Sequence, residues 1–197
     1  MPARKPQNTW ILVAGGAAIV VLIVLVVSLD MLSAPLDALI RAGALLGYIA
    51  VFLASLSSLF MRELRRYFGY PFLKLHHVVS VTGLAALAVH ALSVAWRTGN
   101  LAVFLPEFSS LRAFFALGGR PAFWLIAVAT LAAVLRKSLG NRWKLIHWLN
   151  YLAFILGTVH AMLIGPNFQH PGVRIVAGVM AAVLVVAFIL RRRRGKK

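Results

Sequence analysis

LHHVVSVTGLAALAVHAL, residues 75–92, is an apolar run that opens on a histidine pair, His76 and His77, and carries a third, His90, near its end. It contains no acid and no Lys or Arg. It lies inside a segment long enough to cross a hydrocarbon core of roughly 30 Å, which takes about 20 mostly apolar residues. Working outward, five more stretches meet or approach that length, and spans are expected at 10–29, 38–60, 72–96, 121–135, 145–164 and 173–190. The composition points the same way: 61% of the 197 residues are hydrophobic, against about 45–50% apolar in a soluble domain. The predicted fold is all-α, a single integral membrane domain over 1–197 built as a six-helix bundle.

The fourth span is the shortest. The residues before it, 111–117, either extend it or form a short interfacial helix, and Gly118, Gly119 and Pro121 favour the second option. The first span follows Arg4 and Lys5 as a signal peptide would, but it is too long and has no convincing cleavage site. Little sequence lies outside the spans, so a flavin or nicotinamide domain is expected only on a separate partner.

The net charge is +17, from 21 Lys and Arg against 4 Asp and Glu. Such an excess raises nucleic-acid binding, yet the bases sit between apolar runs and sort by loop. With six spans both termini share a side, and that side holds Arg4, Lys5, Arg62, Arg65, Arg66, Lys74, Arg136, Lys137, Arg142, Lys144 and the bases of 191–197, leaving Arg41, Arg97, Arg112, Arg120 and Arg174 opposite. The positive-inside rule then makes both termini cytoplasmic. Topology and anionic lipid account for the bases, and no nucleic-acid partner is expected. The expected location is a prokaryotic plasma membrane, with several passes.

The chain has no cysteine, which excludes disulfides, thiolate clusters and covalently attached heme. Metal chemistry must rest on histidine. An ionisable group inside a span is costly and marks a functional site by default. His76, His77 and His90 lie in the third predicted span, and His147 and His160 in the fifth. His76 to His90 is 14 residues and His147 to His160 is 13, each about 20 Å along a helix axis. The two spans run in the same direction, so His76 and His147 fall at an inner level and His90 and His160 at an outer one. Each level offers two imidazoles, the axial set of a six-coordinate heme iron.

The azimuths are less regular. Fourteen residues return to within about 40° of one face, but thirteen leave about 140°, so helix tilt, a local change of winding or hemes displaced around the bundle must supply the difference. His77 has the 13-residue spacing to His90 and points about 100° away from His76; His76 is preferred as the inner ligand, with His77 as the alternative. Two bland readings stand beside these: polar helix-packing histidines, and a His-lined pathway for a transported metal or proton in a heme-free transporter or channel. Metal pathways usually recruit carboxylates, and none of the four acids lies deep in a span. A structural subunit that assembles a redox complex without carrying cofactor is a third class.

The run at 75–92, together with GNRWKLIHWLNYLAFILGTVHAML at 140–163, resembles the paired-histidine helices of the ferric reductase-like transmembrane domain. That superfamily includes ferric reductases, NADPH oxidases and the heme-binding membrane subunit of the periplasmic methionine sulfoxide reductase system. The similarity covers roughly 41–163, and its best part is Trp143, His147, Tyr151 and His160. The resemblance implies two b-type hemes that carry electrons across the membrane, and a place as the electron-transfer subunit of an oxidoreductase.

Other residues add weaker expectations. Gly83 and Gly157 could let a porphyrin approach a helix backbone or serve close helix packing. Arg65, Arg66, Lys74 and Lys144 at the inner level, and Arg97 and Arg174 at the outer, are possible propionate contacts, with topology or lipid contact as the other role of each. Trp148 and Phe154 could line a heme edge or pack as ordinary aromatics. His170 is a loop imidazole or part of an acceptor or quinone site. Bis-histidine iron has no open position, so electron transfer is expected, from a cytoplasmic flavoprotein reductase or membrane quinol to an outer-face acceptor protein or ferric chelate.

Overall fold

A computed structural model describes residues 34–68 and 71–194. The first predicted span, 10–29, lies outside the described residues. Every regular element described is helical. Four helices are long and apolar enough to cross a membrane, Pro35–Leu59, Phe72–Thr98, Arg142–Ile164 and Pro171–Arg193, and a shorter apolar helix runs Gly119–Val134. These correspond to the five later predicted spans. Their surfaces carry large apolar side chains, such as Val81, Leu92 and Ile175, each more than 60% exposed. The buried positions are mainly small: Ala50, Ala86, Ala122, Ala129, Ala153 and Ala177. Large outside and small inside is the pattern of helices that meet lipid and pack closely on one another.

The chain divides into two compact units at His90 and Ala91. In the first, α1 (Pro35–Leu59) opens on a proline in its first turn with Asp37 beside it, both favoured where N–H groups lack partners. After Phe60 comes α2 (Met61–Phe68), a short basic helix that the span boundaries did not anticipate. α3 (Pro71–Thr98) follows. Gly43 and Gly47 form a small-xxx-small pair on α1. A β-carbon at Gly43 would lie 2.8 Å from the Ala86 carbonyl oxygen and 3.1 Å from the His90 nitrogen, so this contact is backbone against backbone. Gly83 answers from α3, where a β-carbon would meet that of Ala50 at 2.8 Å. Gly83 therefore serves helix packing.

In the second unit α3 ends at Thr98. Gly99, at φ +60°, lets the Asn100 N–H return to the Ala95 carbonyl and its own N–H to that of Trp96, both at 3.3 Å. That is the Schellman closure, which a residue with a β-carbon resists. A 3₁₀ turn (Leu101–Phe104) and then α4 (Leu111–Ala116) are each capped by a polar side chain, Asn100 Oδ1 accepting from Ala102 N and Ser110 Oγ from Ala113 N. Thus 111–117 forms a helix of its own, separated from α5 (Gly119–Val134) at Gly118. Short helices α6 (Arg136–Leu139) and α7 (Arg142–His147) lead to α8 (Leu149–Ile164), a second 3₁₀ turn (Pro166–Gln169) and α9 (Pro171–Arg194). α5 and α8 pack through Ala122, Ala153 and Leu156, bordered by Phe114, Leu125 and Ile126. α9 packs on α8 through Phe188 against Tyr151, with ring centres 4.9 Å apart.

Candidate functional site

His76, His90, His147 and His160 are each half-buried, while His77 and His170 are exposed. An imidazole N–H left without a partner in a hydrocarbon setting costs several kcal/mol. Where each ring sends its Nδ1 proton therefore fixes its chemistry.

On α3, His90 Nδ1 lies 2.8 Å from the Ile40 carbonyl oxygen of α1. A carbonyl only accepts, so the ring donates from Nδ1, which in the neutral ring leaves the lone pair on Nε2. Gly43, one turn after Ile40, allows that approach. On α7, His147 Nδ1 donates to the Ala129 carbonyl of α5 at 3.0 Å, and the side-chain amide of Asn150 borders that nitrogen at 3.4 Å. On α8, His160 Nδ1 donates to the Ala116 carbonyl at 2.7 Å. Ala116 is the last residue of α4, where a carbonyl has no intrahelical partner. His76 reaches the same state through a hydroxyl: Ser57 Oγ gives its proton to the Ala54 carbonyl at 3.0 Å and accepts from His76 Nδ1 at 3.2 Å.

All four rings, on three helices, thus turn Nδ1 toward an oxygen, and a neutral ring that donates there keeps its lone pair on Nε2. The remaining two differ. His170 Nδ1 accepts from the Gly172 N–H at 3.2 Å, while its carbonyl accepts from Arg174 N at 3.1 Å, so it caps the start of α9. His77 lies beside His76, ring centres 5.9 Å apart, and faces outward.

A local tightening at Trp148 closes part of the offset that the 13-residue spacing leaves. α7 stops at His147 and α8 starts at Leu149. At the joint the Trp148 N–H is shared between the Lys144 and Leu145 carbonyls, both at 3.2 Å, and Tyr151 N reaches back three residues to Trp148 at 3.0 Å. Each residue wound as a 3₁₀ turn advances about 120° rather than 100°, and three such residues close about 60° of the 140° offset.

The Ala116–Gly119 elbow holds His160 on two sides. Ala116 takes Nδ1–H, and a β-carbon on Gly119 would stand 2.9 Å from Nε2. Gly118 is buried, and its β-carbon would fall 3.1 Å from the Leu156 carbonyl oxygen of α8. Beside Gly157, one turn before His160, no described atom lies within 4 Å of the β-carbon position. That face of α8 is open, as the sequence reading of Gly157 allows.

Among the described residues no three His, Cys, Asp or Glu gather into a cage for a bare cation. A metal on these imidazoles must bring its other ligands, as a porphyrin does with four nitrogens. The donor set fits heme in this respect: each imidazole has Nδ1 hydrogen-bonded and Nε2 as the nitrogen that would ligate, and a hydrogen-bonded Nδ1–H raises the basicity of a ligating nitrogen. Arg97, Arg174 and Lys144 are all exposed, at the end of α3, the start of α9 and in α7. Trp148 packs edge-on to Phe188, ring centres 6.0 Å apart, with the Arg192 guanidinium 4.2 Å over its ring centre. Phe154 is buried. Sequence reasoning did not find Ser57, Gly119, or the carbonyls of Ile40, Ala116 and Ala129. The serines of 55–58 and the paired glycines at 118–119 were the only signals available for any of them. Compared with protein-family models, curated proteins and solved structures, the chain matches none.

Proposed function

We propose that the chain is a six-span membrane cytochrome b with both termini in the cytoplasm, holding an inner heme on His76 and His147 and an outer heme on His90 and His160. The observation that carries this reading is that all four rings set Nδ1 against an oxygen, an arrangement in which the neutral rings share one tautomer. Packing histidines have no need to agree on which nitrogen keeps the lone pair. Axial ligands do, because only a deprotonated nitrogen binds iron. The pairing into levels rests on the order, direction and spacing of the helices in the sequence.

When bound, each heme supplies a one-electron couple at its iron. The chain's own residues do the rest. The carbonyls of Ile40, Ala116 and Ala129 and the hydroxyl of Ser57 fix ring rotation and hold the proton on Nδ1. The apolar helices exclude water. Two imidazoles held by these residues would leave a bound iron no position for direct oxygen chemistry, and the group would then serve electron transfer from a cytoplasmic flavoprotein or a quinol to an acceptor at the outer face. The resemblance to ferric reductase-like domains supports the same assignment.

The test is the purified protein itself. Expected are two protohemes per chain with low-spin spectra in both oxidation states. A heme-free, colourless preparation from heme-replete cells would overturn the proposal and favour a His-lined transport pathway.

A further inference from the structure

The short helix α2 follows α1 after Phe60 and carries three arginines, Arg62, Arg65 and Arg66. Its residues advance by about 100° each. Met61, Leu64 and Phe68 fall on one side, and Arg65, Arg62 and Arg66 occupy the adjoining arc of about 100°, with Glu63 beyond them. The side chains of Met61, Arg62, Arg65 and Arg66 line an open surface depression of about 390 Å³. Loop topology explains why bases lie at this end of α1, but it requires only their number. It does not bring three guanidinium groups around one depression. The helix dipole favours Arg65 and Arg66 in the last turn and disfavours Arg62 in the first. Arg62 and Arg66, four residues apart, also repel one another by a few tenths of a kcal/mol.

An anion in the depression reverses both penalties. The guanidinium fork matches phosphate oxygens in pairs. Because α1 is of span length and only Phe60 separates it from α2, the phosphate nearest to hand is that of a lipid headgroup, with Met61, Leu64 and Phe68 beside the acyl region. We propose that α2 is an interfacial helix whose Arg62, Arg65 and Arg66 bind the phosphate of an anionic phospholipid.

The experiment counts phosphatidylglycerol retained by the full-length protein through purification in zwitterionic detergent, by mass spectrometry. The parent is compared with Arg62→Gln/Arg65→Gln/Arg66→Gln and with Arg136→Gln/Lys137→Gln/Arg142→Gln, which removes equal charge from α6 and α7. Retention should fall about tenfold in the first variant and change less than about twofold in the second. Arg62→Gln alone should cost about threefold, and it serves if the triple variant does not fold. Equal loss in both triple variants, or no loss in any, overturns the site. So does release of the lipid by inorganic phosphate at matched ionic strength, which would make it a site for free phosphate. Retention of an acidic protein in place of lipid would likewise overturn the lipid assignment.

Discussion

A β-carbon on Gly119 would stand 2.9 Å from Nε2 of His160 and 3.0 Å from its Cδ2. No carbon can rest there, so the absence of a side chain at 119 preserves the ring's position and the space beside its lone pair. Gly119→Ala should leave the helices folded and tilt the ring off the Ala116 carbonyl. The expected result is at least a tenfold fall in outer-heme occupancy, or a shifted low-spin EPR signal from that heme alone, with the inner heme unchanged. Full occupancy with an unaltered signal would show that His160 does not ligate through Nε2.

Gly157 makes the opposite case, since nothing described lies within 4 Å of its β-carbon position. Gly157→Leu should be accepted by the apoprotein, with helix content and melting temperature close to the parent. If the open face receives a porphyrin, the same substitution should lower heme content to about one per chain. Two hemes with parental spectra would assign that face to lipid.

On α1, Gly43 and Gly47 separate packing from ligand support. A β-carbon at Gly43 would collide with backbone, the Ala86 oxygen at 2.8 Å and the His90 nitrogen at 3.1 Å, whereas one at Gly47 would first meet the Leu87 side chain at 2.6 Å, with the Leu87 backbone nitrogen behind it at 3.2 Å. A side chain can rotate away; a helix backbone cannot. Gly43→Ala should therefore cost about 1–3 kcal/mol and loosen the Ile40–His90 hydrogen bond, so the outer heme is lost before the inner. Gly47→Ala should cost less and leave both hemes. Thermal unfolding together with heme stoichiometry checks the pair.

The sequence could be read for most of the helices because lipid-facing surfaces demand long apolar runs, and 72–96 and 173–190 differ from α3 and α9 only at their ends. It was less informative where one span hides two elements. The break at Trp148 leaves no Pro or Gly as a marker, because a few residues tightened to a 3₁₀ turn need neither. The candidate ligands were legible, since histidine is rare and costly in a span. Their supporting carbonyls were not, because any residue supplies one and only the fold decides that Ala116, Ala129 and Ile40 meet a ring. The choice between His76 and His77 rested on spacing alone. The fold adds the Ser57 hydrogen bond and the exposure of His77.

Ser57 distinguishes His76 from His90, His147 and His160, because the His76 Nδ1 meets a hydroxyl where theirs meet carbonyls. Ser57→Ala removes the acceptor and with it some basicity at the ligating nitrogen of His76, which raises the potential of the bound iron. A neutral hydrogen bond is worth about 1 kcal/mol net, so the inner heme should rise by no more than about 40 mV (59 mV per tenfold for one electron). The outer heme should stay fixed. A redox titration followed in the heme α-band resolves the two. In the same assay His76→Ala should abolish the inner heme, and His77→Ala should leave its stoichiometry and potential within about 20 mV of the parent. Loss of the inner heme in His77→Ala, with His76→Ala fully loaded, would exchange the roles of the two histidines.

The last prediction concerns direction. The rise between His76 and His90 is about 20 Å, so two hemes on these ligands divide the crossing into two steps. In vesicles of one orientation, a reductant on the cytoplasmic face should reduce both hemes, and an impermeant oxidant on the other face should drain them. His90→Ala should keep the inner heme reducible while cutting the drainage rate by at least about tenfold, because the Ile40-bound ring is the only histidine of α3 near that end. The comparison needs the inner-heme spectrum as its internal standard, so that a misfolded variant is recognised by loss of both signals. Drainage of a folded His90→Ala protein at the parental rate would mean that electrons leave by a route that does not use the outer level.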